Sequence, residues 1–268
     1  MKIKNTAFTL IELLVVIVII SILATISVAT FQGYFEKARM AKAKAMAVQM
    51  QRLFLAQNAS TEKNLVTAWY GFDGDGDVNT SNPYLIDKSG SGNNATAGDG
   101  SCDYSQDEET PMETGKSLKT NKCKFQRGPY NAADYPRKKI TMAMWIKVSS
   151  FGSFMTYPLW VYGKNLFEIH KNGRVDFRLY TAGGRARSAD GIIDPYKWHY
   201  IVGSYDGETV RLFVDGDLVA IAENVSVSDD FFSDRNIIVG YSSGGYAFDG
   251  YLDEIMIINY GFDGKELK

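Results

Sequence analysis

One carboxylate lies at the start of a long apolar segment near the N-terminus. Glu12 directly precedes the 23 residues from Leu13 to Phe35, which include no charged side chain. As a helix this segment would extend roughly 34 Å, because each residue adds about 1.5 Å, and a bilayer core is about 30 Å thick. An ionised group at the edge of such a segment is costly, so Glu12 is a candidate functional residue.

Two cysteines offer a second kind of chemistry. Cys102 and Cys123 are too far apart for a CxxC motif, and no histidine lies near them in the sequence. If this part of the chain is exported, the even number of cysteines favours a structural disulfide over a metal or redox pair. Such a bridge would close a loop of about 20 residues and contribute ~3 kcal/mol in the chain-entropy model.

The histidines and paired carboxylates do not favour catalysis. The chain has two histidines, His170 and His199, and neither accompanies a serine or cysteine nucleophile motif. We therefore interpret both as structural. Glycoside hydrolysis needs two carboxylates that face one sugar, whereas Asp253 and Glu254 are adjacent on a predicted strand and should point to opposite faces. The sequence therefore predicts that the protein is not an enzyme.

Two other stretches each allow two interpretations. The segment from Asp73 to Asn79 starts like an EF-hand loop, with acids at alternate positions. However, Val78 stands where the loop needs glycine and Tyr84 where it needs a bidentate glutamate, so a plain acidic loop is favoured. The aromatic residues within 151–162 could form a sugar platform or pack inside the fold, and the sequence does not decide between them.

Two kinds of element must position these residues. Strong helix formers continue past the apolar segment to Gln57, and a stripe of apolar residues at helical spacing should pack on the domain that comes after it. The stripe comprises Met46, Met50, Leu53 and Phe54. After Lys63 the pattern changes to short strands with Asn-Gly and Asp-Gly turns, which indicates an antiparallel sandwich. The predicted strands are 65–72, 140–148, 166–171, 174–180, 198–205, 209–214, 218–221, 236–240 and 251–258. The predicted fold class is therefore α+β.

The N-terminal segment resembles the leader and first helix of type IV pilins and pseudopilins. The matching residues are Lys2, Lys4, the Ala7-Phe8 junction and the Phe-Thr-Leu-Ile-Glu sequence that ends at Glu12. The resemblance implies cleavage by prepilin peptidase after Ala7, N-methylation of Phe8, and pairing of Glu12 with the amino terminus of a neighbouring subunit in a filament. An ordinary secretory signal has a shorter apolar core with the small-residue cleavage site beyond it. A plain membrane anchor would not explain Glu12.

The sequence departs from the pilin pattern at three positions. Ala7 stands where pilins usually have glycine, which could slow processing. Ser21 and Ala29 stand where many pilins have a helix-breaking glycine and proline. We therefore predict a continuous first helix, without the unwound segment of some pili.

The remainder of the chain resembles a laminin-G-like domain, a jelly roll of the concanavalin type. Five motifs in the family order carry the resemblance: Asp87–Asn93, Trp145–Lys147, Trp198–Gly207, Leu212–Gly216 and Phe248–Ile255. It implies that the Asp87 loop lies beside the Asp253 strand, so that Asp87, Asn93 and Asp253 would share one Ca²⁺ ion through their oxygens. Alternatively, Asp87 and Asn93 are turn residues and Asp253 is a surface charge.

The two resemblances divide the chain into three parts. We predict a leader at 1–7, a transmembrane and filament-core helix at 8–60, and a sandwich head at 61–268 with an insertion at about 99–135. The first 52 residues carry seven Lys or Arg side chains and two Glu, a net charge of +5, which leaves −7 for the rest of a chain whose net charge is −2. Such an acidic head is not a nucleic-acid binder by charge.

These features predict a structural subunit of a type IV pilus-like filament. The precursor would be anchored in the cytoplasmic membrane with its head outside, and residues 8–57 would then pack against copies of the same chain at the cell surface. Its partners would be prepilin peptidase, the pilus assembly machinery, and a glycan or protein ligand of the head. The alternatives are a pseudopilin of a type II-like secretion system, a membrane-tethered lectin that never polymerises, and a glycan hydrolase.

Overall fold

The computed structural model describes most of the chain. The described ranges are 8–58, 66–74, 78–79, 84–98, 103–107, 109–112, 114–127, 139–152, 154–161, 165–179, 184–227, 236–241 and 246–265. For residues 26–32, 58, 66, 67, 78, 79, 103 and 165 the description covers the backbone alone.

The N-terminal element is a single helix, α1, from Leu10 to Asn58. It has no break between Ser21 and Ala29, so the predicted continuous helix is confirmed for the isolated chain, and its continuity in a filament stays a prediction. Over the side chains that the structure describes, no helix has the length and hydropathy needed to cross a membrane.

The chain divides into two compact units, Met1–Ala41 and Lys42–Lys268. The predicted domain boundaries at residues 7 and 60 are not tested by this division.

The second unit consists of the end of α1 and two antiparallel sheets. Counted over the described residues, one sheet has eight strands and the other has ten. The eight-stranded sheet comprises β1 (Val66–Tyr70), β5 (Asp103–Asp107), β6 (Ser117–Asn121), β8 (Ile140–Val148), β14 (Trp198–Tyr205), β15 (Val210–Val214), β16 (Asp217–Ala222) and β18 (Asp249–Ile258). The ten-stranded sheet comprises β2 (Val78–Asn79), β3 (Tyr84–Leu85), β4 (Ala95–Gly98), β7 (Lys124–Arg127), β9 (Met155–Thr156), β10 (Leu159–Val161), β11 (Asn165–His170), β12 (Val175–Leu179), β13 (Arg185–Arg187) and β17 (Ile237–Val239).

The strand order shows how distant parts of the sequence are brought together. In the eight-stranded sheet the order is β16-β15-β14-β8-β18-β6-β5, and β1 also pairs with β18. In the ten-stranded sheet the order is β13-β12-β11-β10-β17-β7-β4-β3-β2, and β9 also pairs with β11. The predicted α+β fold, a long helix and then an antiparallel sandwich, is confirmed.

The inner faces of the two sheets form one hydrophobic core. Strand β8 shows the predicted alternation, because its side chains at the even-numbered positions from 140 to 148 all belong to this core. Facing side chains from the other sheet include Phe167 and Phe177, whose ring centroids are 5.3 Å apart. The apolar residues at every second position of these strands therefore form this core.

The end of α1 covers the outer face of the eight-stranded sheet. Lys42 forms an ion pair with Asp217 on β16, the Gln51 side chain hydrogen-bonds to Glu254 on β18, and the Phe54 ring packs edge-on against Trp69 on β1 with centroids 5.1 Å apart. The helix therefore crosses this sheet from β16 to β1. Of the predicted stripe, Met46, Met50 and Phe54 are buried and Leu53 is half-buried, so the predicted packing on the head is confirmed.

Two predicted hairpins are present, with turns of different kinds. At Asp215-Gly216, between β15 and β16, both residues have positive φ (52° and 87°), as a type I′ turn requires. At Asn172-Gly173, between β11 and β12, only Gly173 has positive φ (74°). Its amide donates to the His170 carbonyl at 2.9 Å, so the turn includes Lys171 and is longer than the predicted two residues.

Nine short strands among the described residues were not predicted. Strands β2 to β7, β9, β10 and β13 were absent from the prediction, because they have two to five residues and little apolar alternation. Three of them, β5, β6 and β7, lie within the predicted insertion at 99–135. There β6 pairs with β18 and β7 pairs with β17, so the described residues of this segment belong to both sheets.

Candidate binding face

The carboxylate at the start of α1 forms a local helix cap. Glu12 Oε2 accepts hydrogen bonds from the Thr9 amide (2.8 Å) and the Thr9 hydroxyl (2.7 Å), and the Glu12 amide donates to Thr9 Oγ1 at 3.3 Å. Thr9 and Glu12 thus form a capping box, which the T-x-x-E sequence could have indicated. Phe8 is exposed, whereas Ala7 lies outside the described residues. The processing and assembly roles of Ala7, Phe8 and Glu12 stay predictions.

The predicted disulfide is only partly visible. Cys123 is fully buried and is disulfide-bonded. Cys102 lies outside the described residues, so its pairing with Cys123 stays a prediction.

The predicted calcium ligands have different hydrogen-bond partners. Asp87 and Asn93 are together, because the Asn93 amide donates to Asp87 Oδ2 at 2.9 Å. The Asp87 carboxylate also accepts from the Ser89 hydroxyl and from the amides of Ser89 and Trp69. Each of its oxygens therefore already accepts two hydrogen bonds, which uses the lone pairs that a cation would need. Asp253 instead accepts from the Thr110 hydroxyl at 3.0 Å.

A β-bulge changes the direction of the neighbouring carboxylate. Strand β18 is irregular between Asp253 and Met256, and Glu254 has a positive φ of 46°. Glu254 therefore lies on the helix-covered side, where it accepts a 2.6 Å hydrogen bond from Trp69 Nε1. Asp253 pairs with Trp145, which is on the same side of the sheet. The prediction that Asp253 and Glu254 point to opposite faces is wrong, because the bulge inserts one extra residue.

Burial and mutual repulsion act on this carboxylate pair. Burial raises the pKa of Asp253 well above its ordinary value, and the nearby Glu254 and Asp73 carboxylates raise it further. Burial also raises the pKa of Glu254, although its hydrogen bonds from Trp69 and Gln51 oppose the rise. Asp73 is the first residue of the EF-hand-like stretch, and Asp75 and Asp77 lie outside the described residues. Within the described part of the chain, Asp253 is thus the member of the predicted calcium set that lies beside other acids.

The second histidine is held within the fold. His199 Nε2 accepts from the Asp194 amide at 3.0 Å, and its Nδ1 is 2.7 Å from Asp215 Oδ2. Since Nε2 accepts, Nδ1 carries the proton and donates it to the carboxylate. This arrangement supports a structural role for His199.

A set of charged residues, which we name the charged cluster, lies on the outer face of the ten-stranded sheet. Its members are Glu168, His170, Arg174, Asp176, Arg178, Arg185 and Arg187. They lie on this face because their strand neighbours Phe167, Ile169, Val175, Phe177 and Ala186 point into the core. The strand register places Glu168 opposite Asp176, and Asp176 opposite Arg187.

Two buried acids at the centre of the charged cluster hold its arginines. Glu168 Oε1 lies 3.0 Å from Arg178 Nη1, and its Oε2 lies 3.3 Å from Arg185 Nη2. Asp176 lies 3.1 Å from Arg174 Nε and 3.3 Å from Arg187 Nε. Both carboxylates are almost inaccessible, whereas the guanidinium groups reach solvent. The arginines therefore form a positively charged layer over the acids.

The charged cluster also includes three metal-type ligands. One ligand atom from each of Glu168, His170 and Asp176 lies within 4.8 Å of the others, a spacing that could hold a metal ion. Burial lowers the pKa of His170, and the Asp176 carboxylate opposes this shift. Four guanidinium groups surround these two acids and would compete with a metal ion for the carboxylates.

Sequence reasoning treated His170 as an isolated residue, because the register that pairs β11 with β12 was not used.

An aromatic group, which we name the aromatic cluster, adjoins the charged cluster. It comprises Tyr157, Trp160, Tyr241 and Tyr246. Tyr157 and Tyr246 are stacked, with centroids 5.2 Å apart and rings inclined by 4°. Trp160 contacts both Tyr157 and Tyr241, at 5.9 and 5.6 Å. Tyr246 is 40% exposed, so the cluster is accessible in part. Among the aromatic residues in 151–162, Phe154 is 66% exposed and Tyr157 and Trp160 contact each other in the aromatic cluster, which supports the platform, whereas Phe151 packs against the core.

These features can be compared with known proteins. A family model described as the concanavalin A-like lectin/glucanases superfamily matches residues 127–268, which is more than half of the chain. The chain belongs to this superfamily. The model of the prokaryotic N-terminal methylation motif matches residues 2–28. This lectin-like chain therefore also carries a prepilin-type N-terminal segment, and both resemblances drawn from its sequence are confirmed. No curated protein matches the chain.

Solved structures share the fold of this superfamily member. Domain 4 of AbnA, a GH43 extracellular arabinanase from Geobacillus stearothermophilus in complex with arabinotriose, has a TM-score of 0.54 at 14% identity, over 77% of this chain and 98% of that chain. The binding domain of botulinum neurotoxin serotype D has a TM-score of 0.53 at 13% identity, over 76% of this chain and 50% of that one. Trypanosoma rangeli sialidase in complex with the inhibitor DANA has a TM-score of 0.53 at 11% identity, over 75% and 32% of the two chains. At these identities the likeness shows the fold alone.

Proposed function

We propose that the chain is the structural subunit of a type IV pilus-like surface filament, whose lectin-like head binds a saccharide. The observation that carries the proposal is the presence of both parts in one chain: a methylation motif at residues 2–28 and a concanavalin A-like domain at 127–268. In this proposal the precursor is anchored in the cytoplasmic membrane with its head outside. After prepilin peptidase cleaves the Ala7-Phe8 bond, the assembly machinery packs the 8–57 helices together in the filament.

The head acts by binding rather than catalysis in this proposal. The aromatic cluster supports saccharide binding, since exposed aromatic faces pack against apolar sugar faces while polar groups beside them accept or donate hydrogen bonds. The carboxylates on the helix-covered side are less suited to catalysis, because Asp253 and Glu254 are buried and accept hydrogen bonds from Thr110 and Trp69. The arabinotriose in the AbnA domain 4 structure is consistent with this choice of ligand class.

The proposal is tested first by mass spectrometry of the N-terminal peptide, in sheared surface material and in membranes. A peptide that starts at methylated Phe8 in the sheared fraction is the expected result. The same peptide confined to membranes would instead support a pseudopilin. An intact N-terminus in both fractions would support a tethered lectin and contradict the pilus proposal.

The role of Glu12 in assembly can be separated from its role in the helix cap. We expect Glu12→Ala to be inserted and cleaved but to form few filaments, because an unpaired neighbour amine in an apolar core is penalised. Glu12→Gln is the matched variant, since glutamine can retain the cap to Thr9 while removing the charge. Filament counts by electron microscopy of both variants provide the measurement. Normal filaments from Glu12→Gln would contradict charge pairing.

Calcium binding through Asp253 is a further part of this proposal. Asp253 fits a cation, because its buried charge lies beside the Glu254 and Asp73 carboxylates. Asp87 and Asn93 fit less well as they stand, because the Asp87 oxygens already accept four hydrogen bonds. A bound ion would add positive charge to this acidic group, where Lys88 already acts on Glu254.

The pH and metal dependence of stability test the calcium site. Between the ordinary Asp pKa of 3.8 and its raised folded pKa, the folded state keeps a proton that the unfolded state has lost, so stability falls as pH rises through that window. Without metal, Asp253→Asn should therefore raise the melting temperature at neutral pH, by about 2–4 °C for each kcal/mol gained. Calcium should raise the melting temperature of the native chain but not of Asp253→Asn. Equal responses to calcium and to a chelator in both proteins would exclude the site.

A further inference from the structure

The charged cluster has more positive than negative charge. It includes four arginines and two carboxylates together with His170. The arginines and carboxylates alone give a net charge of +2. This is opposite in sign to the head as a whole. A local surplus of cations on an otherwise acidic domain attracts an anionic ligand to one place.

The arginines are held in position before any ligand arrives. Glu168 and Asp176 lie under them as buried anchors, with exposed side-chain fractions of 2% and 0%. The side chains of Arg178 and Arg185 are each 30% exposed, and that of Arg187 is 50% exposed. Since a guanidinium group has five N–H donors, Arg187, which contacts Asp176 through Nε, retains donors at its terminal nitrogens. Because these side chains are already held in place, less conformational entropy is lost when a ligand binds.

The register places the arginines and the aromatic cluster in one row. Trp160 on β10 is paired with Leu166 on β11, Leu166 with Arg178 on β12, and Arg178 with Arg185 on β13. Neighbouring strands lie about 4.8 Å apart. Trp160 and Arg178 are therefore separated by about 10 Å, and Trp160 and Arg185 by about 14 Å. These spans match two or three linked sugar rings.

We propose that this row binds a carboxylated saccharide, with a sugar ring on the aromatic cluster and a carboxylate on the arginines of the charged cluster. Arginine suits this role because its planar fork matches the two oxygens of a carboxylate. The four guanidinium groups make a metal ion the less favourable occupant of the same acids. This inference rests on the proposed saccharide-binding function and specifies the class of saccharide.

Matched pairs of ligands separate this inference from the function on which it rests. The full chain, purified in detergent, is titrated calorimetrically with oligomers of galacturonate, glucuronate and mannuronate, and with the neutral methyl ester of each. We expect at least one acid to bind about tenfold or more tightly than its ester, as one charge-assisted hydrogen-bonded contact provides, and to weaken as salt is added. Binding in which every acid equals its ester would overturn the inference and leave the saccharide-binding function intact. No binding of any pair would overturn both.

Two variants and a control assign the binding to this row. Arg187→Gln should weaken binding of the acid about tenfold and leave the ester unchanged, since its half-exposed guanidinium is removed. Lys265→Gln removes the same charge from a side chain that is 83% exposed and outside the cluster, so it should bind the acid normally. Trp160→Ala should weaken acid and ester alike through the lost ring. Equal loss of acid binding in Arg187→Gln and Lys265→Gln would show a general charge effect and contradict the proposed site. Melting temperatures of each variant confirm that the variants are folded.

Discussion

The two sheets of the head differ in what lies on their outer faces. On the eight-stranded sheet, the outward side chains Ala143, Trp145, Tyr200 and Met256 are fully buried, because the end of α1 crosses them. On the ten-stranded sheet, outward positions carry arginines that reach solvent, Arg187 among them, and the exposed Tyr246 stacks on Tyr157. One face therefore holds the helix, and the other is accessible to a ligand.

The strands of the two sheets also differ in sequence. Every residue of β14 is buried, and so is every residue of β8 except Lys147, because both of their faces are covered. In β12 the sequence alternates between core residues and the charged Asp176 and Arg178. A continuous apolar run marks a strand covered on both faces, and alternation marks one with an open face. The sequences of these strands therefore indicate which sheet face is covered and which is open.

The largest effect should come from breaking the helix-covered face. Phe54→Ala removes a ring that is 1% exposed and packs on Trp69, so we expect a loss of about 3–5 kcal/mol in the free energy of unfolding. Leu55→Ala is the adjacent control, because Leu55 is 55% exposed and should change stability by about 0.5 kcal/mol or less. Urea denaturation of the full chain in detergent measures both. Similar losses would show that the helix does not depend on packing against this sheet.

A smaller effect should result from removing one anchor of the charged cluster. Asp176→Asn leaves Arg174 and Arg187 near a buried neutral amide, and loss of one partner from a buried ion pair costs about 3 kcal/mol. Arg187→Gln is the matched change on the accessible side of the same pair, and it should cost about 1 kcal/mol or less. The same denaturation experiment compares the two. If Arg187→Gln were the more destabilising, the cluster would owe its stability to the exposed arginine rather than to the buried acid.

Sequence reasoning identified the long strands but not the charged cluster. Strand β8 was predicted with its observed bounds, Ile140–Val148, since a nine-residue run with an apolar residue at every even-numbered position is distinctive. The cluster arises from pairing β11, β12 and β13, and β13 is only three residues long. Its Arg185-Ala-Arg187 sequence has no periodic signal of its own. The register between these consecutive strands depends on the geometry of their turns as well as on the apolar pattern, so the apolar pattern alone did not assign the side-chain neighbours.

Local backbone irregularity explains the remaining difference. Alternation placed Asp253 and Glu254 on opposite faces, which is correct only for a regular strand. The bulge at Glu254 depends on how β18 pairs with β8, and no glycine marks it. By contrast, Thr9 and Glu12 form a cap that depends on residues three apart. The cap could therefore be predicted from neighbours in sequence, whereas the bulge depends on neighbours in space.

The smallest effect should distinguish two tyrosines of one strand, β14, that lie on different faces. Within the described residues, the buried Tyr200 hydroxyl under the helix has no hydrogen-bond partner. The Tyr205 hydroxyl, on the core side, lies 2.8 Å from the Gly207 carbonyl oxygen and 3.0 Å from that of Val225. Removing an unpaired buried hydroxyl should be neutral or stabilising by about 1 kcal/mol, whereas removing a bonded one should cost about 1 kcal/mol. Tyr200→Phe and Tyr205→Phe should therefore shift the unfolding midpoint in opposite directions.

The pH dependence of the stability of Tyr200→Phe provides a second test of how the helix covers this face. Burial raises the pKa of Tyr200 well above its ordinary value of 10.0, and the Glu254 carboxylate adds to the rise. Above about pH 10 the unfolded chain loses this proton and the folded chain keeps it, so stability falls as pH rises through that range. Tyr200→Phe should therefore lose less stability than the native chain between about pH 9 and 11. An equal loss would mean that water or a rearranged partner reaches the hydroxyl, and that the helix covers this face less tightly than its buried side chains indicate.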